Sequence, residues 1–84
     1  FMTETEFREL LARIGSCFLT HQVGRSNGSW VAVGTLILGA TIRDLERILD
    51  REPIDYEIWT QNGELYIRME AREEKVLLRI PKIP

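Results

Sequence analysis

The stretch Ile54-Asp55-Tyr56-Glu57-Ile58-Trp59-Thr60-Gln61-Asn62-Gly63-Glu64-Leu65-Tyr66-Ile67-Arg68-Met69-Glu70-Ala71 decides the fold class. Ile54, Tyr56, Ile58 and Thr60 alternate with Asp55, Glu57, Trp59 and Gln61, the period-two pattern of a strand with one buried face. Asn62-Gly63 is a strong hairpin signal, because a type I′ turn needs positive φ at both central residues. Folding about it sets Thr60 opposite Leu65, Ile58 opposite Ile67 and Tyr56 opposite Met69. Both strands then turn their apolar residues to the same side, which fixes the register. A second turn at 72–75 would set Ala71 opposite Val76, Met69 opposite Leu78 and Ile67 opposite Ile80. The expectation is a three-stranded antiparallel meander, ended by Pro81 and Pro84.

Upstream of the meander, Thr41 with Asp44 signals a helix N-terminus, and Ile42, Leu45, Ile48 and Leu49 form an apolar stripe that Pro53 should stop. At the other end of the chain, Thr3 and Glu6 fit a capping box. Phe7, Leu10, Leu11 and Ile14 follow at the spacing of one helical face, with Glu4–Arg8 and Glu9–Arg13 as i,i+4 pairs. Gly15-Ser16 should end that helix. Between the two helices, residues 17–23 and 30–38 read as the strands of a hairpin, joined by a loop over 24–29. Val31, Val33, Thr35 and Ile37 are β-branched, and so few polar residues interrupt the second strand that it should be buried on both faces.

The sequence thus predicts an α+β domain: N-terminal helix, β-hairpin, short helix, three-stranded meander, with both helices packed on one sheet face. This order is similar, in predicted topology, to the roadblock and longin-type folds. No repeat, low-complexity tract or linker divides the chain, so one small domain over 2–84 is expected, with Phe1 an expression scar ahead of Met2.

Composition excludes several classes. The 84 residues hold 44% hydrophobic and 29% charged side chains, an ordinary globular mixture, with a net charge of −2. One Cys, Cys17, can form neither an internal disulfide nor a zinc site by itself. With an acidic start where a signal peptide would be basic, a cytoplasmic setting without cofactor or metal is expected. The longest uncharged run, 26–42, is broken by Ser26, Asn27, Gly28, Ser29, Gly34 and Gly39, so no membrane span is expected. A chain this small buries limited surface, and oligomerisation, most simply as a symmetric homodimer, is a natural remedy.

The polar face of the meander carries the candidate site. Trp59 falls opposite Tyr66 and Glu57 opposite Arg68, with Leu77 and Arg79 on the third strand. Trp, Tyr and Arg are enriched at interface hot spots, so a contact surface for a second copy or an unknown protein partner is the preferred function. A solvated face with an aromatic pair and an ion pair is the plainer alternative. Asp55 opposite Glu70 and Arg68 opposite Arg79 would be like-charge pairs, relieved by diagonal neighbours or by a partner.

Other constellations are weaker. His21 has no second ligand or nucleophile at a useful spacing, and Cys17 reads as a small buried hydrophobe. The 24–29 loop lacks the Lys and Ser/Thr of a P-loop, and Asn27-Gly28-Ser29 matches a glycosylation pattern by chance. Leu38-Gly39-Ala40-Thr41 resembles the turn of a helix-turn-helix, with Arg43 and Arg47 on the recognition helix and the Asn62-Gly63 hairpin as a wing. That alternative needs residues 31–37 to be helical. It also places Asp44, Glu46 and Asp50 among the arginines, so nucleic acid is disfavoured as a partner. An enzyme would need a pocket holding His21 beside a carboxylate, and a non-enzymatic domain is expected.

Overall fold

A computed structural model of the chain describes residues 1–72. Two helices and a four-stranded antiparallel sheet follow the order α1 (Glu4–Arg13), β1 (Phe18–Ser26), β2 (Ser29–Leu36), α2 (Ile42–Leu49), β3 (Ile54–Gln61) and β4 (Glu64–Ala71). The strands lie side by side as β1-β2-β4-β3.

Both helices start where their capping boxes lie. The Thr3 hydroxyl accepts from the Glu6 N–H at 3.1 Å, and the Thr3 N–H donates to the Glu6 carboxylate at 2.9 Å. Thr41 and Asp44 repeat the arrangement at 3.2 and 2.9 Å. These bonds satisfy N–H groups that the first helical turn leaves without partners. Glu4 and Arg8 pair at 2.9 Å. Arg13 does not pair with Glu9. It reaches across to Glu52 at 2.7 Å, because the less exposed Glu52 carboxylate is brought beside α1 by the turn after α2.

The β3–β4 hairpin has the expected register, with Tyr56, Ile58 and Thr60 opposite Met69, Ile67 and Leu65. Asn62 and Gly63 hold φ of 53° and 80°, the positive values the turn demands. The meander needs correction. The other edge of β4 is taken by β2, which sets Trp30, Ala32 and Gly34 opposite Met69, Ile67 and Leu65. The ladder positions assigned to Leu78 and Ile80 are therefore filled, and the third strand itself, with Leu77 and Arg79, lies outside the described residues. β2 wins this edge because it too alternates in period with β4 and is already paired to β1 on its far side.

The first hairpin is longer and tighter than its composition suggests. Residues 24–29 are not a loop: only Asn27 and Gly28 turn, with φ of 51° and 85°, and Ser26 pairs with Ser29. The register slips at His21, a bulge between Thr20 and Gln22. Strand β2 stops at Leu36, leaving Ile37 partly exposed and Leu38 fully exposed. Nor is β2 buried on both faces. Ala32 is buried, whereas Val31 and Val33 are only half-buried, because nothing among the described residues covers their side of the sheet.

On the other side, Phe7, Leu10 and Leu11 of α1 and Leu45 and Leu49 of α2 join Ala32, Ile67 and Met69 of the sheet in one buried cluster. Trp30 closes its rim. Its ring stacks on Phe7 at 5.5 Å between centroids and its Nε1–H donates to the Met2 carbonyl at 2.9 Å. The Arg25 guanidinium lies 4.7 Å above it. Behind α2, the Tyr56 hydroxyl donates to the Asp50 carboxylate at 2.6 Å. Burial, followed by that bond and the negative charges of Asp50 and Glu46, pushes the Tyr56 pKa up to about 12.

Candidate functional site on the open sheet face

Side chains alternate along each strand, so those that do not meet the helices line up on the opposite face. The paired registers place Val31 and Val33 of β2, Tyr66 and Arg68 of β4, and Glu57 and Trp59 of β3 there. Trp59 stacks on Tyr66, centroids 5.3 Å apart and planes within 15°. The Trp59 indole N–H donates to Gln61 Oε1 at 3.4 Å, and 37% of the residue remains exposed. Beside this pair is a hollow of about 480 Å³, with Val31 and Val33 in its lining and the Gln22–Asn27 end of the first hairpin along one wall.

Arg68 organises the polar part of the face. Its Nε donates to Glu57 at 3.0 Å, the cross-strand pair that the alternation implied. Its Nη1 donates to the Ser29 hydroxyl at 3.1 Å and lies 3.4 Å from Glu70. Ser29 in turn donates to Glu70 at 2.8 Å. Asp55 and Glu70 do face each other. Their repulsion is relieved by Arg68 and Ser29 on Glu70, and by Arg72, whose Nε sits 3.7 Å from Asp55. On its other side Arg68 has Val31 of β2 as its ladder neighbour, and Arg79, expected there, lies outside the described residues.

Ser29 is the member that residue patterns missed. It is buried, at 4% exposure, and links β2 to β4 through two charge-assisted bonds. The signal was present in Asn27-Gly28, the same turn dipeptide as Asn62-Gly63. Reading it as a two-residue turn puts Ser29 at the start of a strand rather than in a loop.

The remaining candidates lie apart from this face or do nothing on it. His21, on the bulge, is exposed and bonds the Thr35 hydroxyl at 3.3 Å. Cys17 packs half-buried against the core. Arg43 and Arg47 sit on α2 beside Glu46 and Asp50. Asp44 holds Arg47 at 3.0 Å, and the Thr41 backbone N–H, then Arg47, lower the Asp44 pKa. Where a helix-turn-helix requires a helix over 31–37, residues 31–36 belong to strand β2, so Arg43 and Arg47 do not belong to that motif. No group of three or more His, Cys, Asp or Glu side chains that could hold a metal ion occurs among the described residues. No helix among them is long and apolar enough to cross a membrane.

No protein-family model, curated protein or solved structure matches the chain.

Proposed function

We propose that this domain acts through protein–protein contact, without catalysis, and that its open sheet face seats a second copy in a cytoplasmic homodimer. The observation that carries the reading is the belt of Val31, Val33, Tyr66 and Trp59, covered by nothing among the described residues, opposite the face that buries both helices' apolar residues. A wide aromatic side chain left at a water boundary is a typical anchor for a partner. The β1–β2 half of the face supports a second copy as that partner. Its outward residues from Leu19 to Ser26 and from Ser29 to Thr35 alternate through uncharged Gln22, Gly24, Val31 and Val33, and the one charged residue of those stretches, Arg25, has its guanidinium over the Trp30 ring, so packing this half on itself desolvates little charge. Arg68, already held by two carboxylates, fixes orientation at the rim.

Sedimentation equilibrium of the wild type and of Trp59→Ala tests this. The wild type should be dimeric at micromolar concentration, and the variant should dissociate at least about tenfold more readily, since hot-spot truncations cost about 2 kcal/mol or more. A wild type that stays monomeric to millimolar concentration overturns the reading.

A further inference from the structure

The outer strands of the sheet, β1 and β3, each have one edge that meets no other strand among the described residues. The two edges are not equivalent. Along β1 the register slips at His21, so its outward N–H and C=O groups fall out of step halfway along, which blunts an edge against pairing. Strand β3 runs for eight residues with no bulge, proline or lysine.

The β3–β4 ladder says which backbone groups of β3 point outward. In an antiparallel pair, residues that exchange both backbone bonds alternate with residues that exchange none. Gln61 and Glu64 flank the two-residue turn, which makes them an exchanging pair. Counting back, Trp59, Glu57 and Asp55 turn their groups to β4, and the Arg72 N–H on the Pro53 carbonyl at 3.2 Å continues the series. Ile54, Tyr56, Ile58 and Thr60 therefore turn theirs away. Ile54 is already engaged, its N–H by the Glu52 carbonyl at 2.8 Å and its carbonyl by Arg72 Nη2 at 2.9 Å. Tyr56, Ile58 and Thr60 present their N–H and C=O groups at even spacing, without a partner among the described residues. On the helical side of the same edge, Tyr56 and Ile58 are only half-buried.

We infer that the β3 edge pairs with the β3 edge of a second copy, antiparallel about a two-fold axis at Ile58, making one continuous sheet of both chains. Counting bonds sets the register. With Ile58 opposite its counterpart, Tyr56 meets Thr60 in both directions and every free outward group is used. An axis at residue 57 would set Glu57 on Glu57 and call on Ile54, which is engaged. An axis at residue 59 would set Tyr56 against Asn62 in the turn. The charges also favour Ile58 as the axis. Glu57 then lies opposite Trp59 and Asp55 opposite Gln61, so no like charges face each other. The two Glu57 carboxylates are diagonal neighbours, each held by its own Arg68 at 3.0 Å. Ile58 on Ile58 and Tyr56 beside Thr60 extend the helical-side core across the axis. A second copy is the occupant because this strand complements itself in length, polarity and charge under two-fold rotation. The edge is a surface separate from the open face, so the inference does not rest on that reading. Edge alone gives a dimer, and edge with face a tetramer.

Amide hydrogen exchange of the full chain, read by residue, is the test. The Tyr56, Ile58 and Thr60 amides should exchange at least about tenfold more slowly in the associated protein, at about 1 mM, than in the monomer reached by dilution. The Glu57 and Trp59 amides, bonded to β4, should exchange alike in both. Thr60→Pro deletes an outward N–H at a position where an edge strand tolerates proline, and should abolish the slowing at Tyr56 and Ile58. Circular dichroism checks that this variant folds; if it does not, the alternation in the wild type still decides. Val33→Asp, on the open face of β2, should leave the slowing in place. Unprotected Tyr56, Ile58 and Thr60 amides at 1 mM overturn the inference. So does their protection in a chain that sediments as a monomer, which would mean that the chain covers its own edge. Loss of the slowing in Val33→Asp would place the contact on the open face, overturning this inference and leaving the face reading.

Discussion

The carbonyl oxygen of Leu19 occupies the space that a Cβ on Gly34 would need. An added methyl would also come within 2.8 Å of the Phe18 ring. Gly34 lies opposite Leu65 on β4 and Thr20 on β1, and the close approach is to β1, within the first hairpin. A glycine in a strand interior here marks close backbone approach rather than a turn.

Gly34→Ala should therefore destabilise the fold by about 1–3 kcal/mol, the usual range for overpacking. In a domain of this size each kcal/mol lowers the melting midpoint by about 4–8 °C. Gly24→Ala is the matched control, since a Cβ there meets nothing within 4 Å. It should leave the midpoint unchanged or raise it slightly, because alanine loses less chain entropy than glycine on folding. Equal effects of the two substitutions in thermal melts would contradict the steric account.

The two tryptophans should differ sharply. Trp30→Ala removes the stack on Phe7, the bond to the Met2 carbonyl and the surface beneath Arg25, and should cost about 2–4 kcal/mol. Trp59→Ala removes a half-exposed ring whose partner, Tyr66, stays in place. It should cost about 1 kcal/mol or less in the monomer. Urea unfolding at a concentration low enough to keep both variants monomeric separates the two outcomes. A Trp59 variant as unstable as the Trp30 variant would place the open face in the core.

Tyr56 gives the fold an alkaline limit. Its pKa stands at about 12 in the folded chain against 10.0 for an ordinary tyrosine, so the folded state holds the proton more tightly than the unfolded one. The associated stability is fully present below pH 10 and is lost as pH rises from about 10 through about 12. Tyr56→Phe deletes the bond to Asp50 and should lower stability at pH 7 by about 1–2 kcal/mol, while flattening the decline above pH 10. Denaturation midpoints of both proteins across pH 7–12 would show parallel curves if the hydroxyl were not responsible.

Much of the local structure was legible in the residues. Thr3 with Glu6 and Thr41 with Asp44 each place donor and acceptor three positions apart, and a capping box needs nothing beyond that turn of chain. Asn62-Gly63 and the alternation on either side set the β3–β4 register, and hence the Trp59–Tyr66 and Glu57–Arg68 pairs. Asn27-Gly28 carried the same information, but the surrounding Gly24, Arg25, Ser26 and Ser29 have the composition of a loop, and composition outweighed the dipeptide.

The order of the strands was decided elsewhere. β4 alternates in the same way towards either neighbour, so its sequence does not say whether β2 or a later segment takes its second edge. That choice rests on the β2–β4 ladder itself, with Ala32 opposite Ile67, and on Ser29 meeting Arg68 and Glu70, while Trp30 settles over Phe7 of α1. All of these are contacts between residues distant in sequence, and their loop-closure cost is offset only when the whole sheet forms. The sequence by itself determined the elements, their caps and one hairpin, because those interactions lie within a turn or two of chain. The tertiary structure decided which strand lies beside which, and with it that Val31, Val33, Tyr66 and Trp59 share one face that no described residue covers.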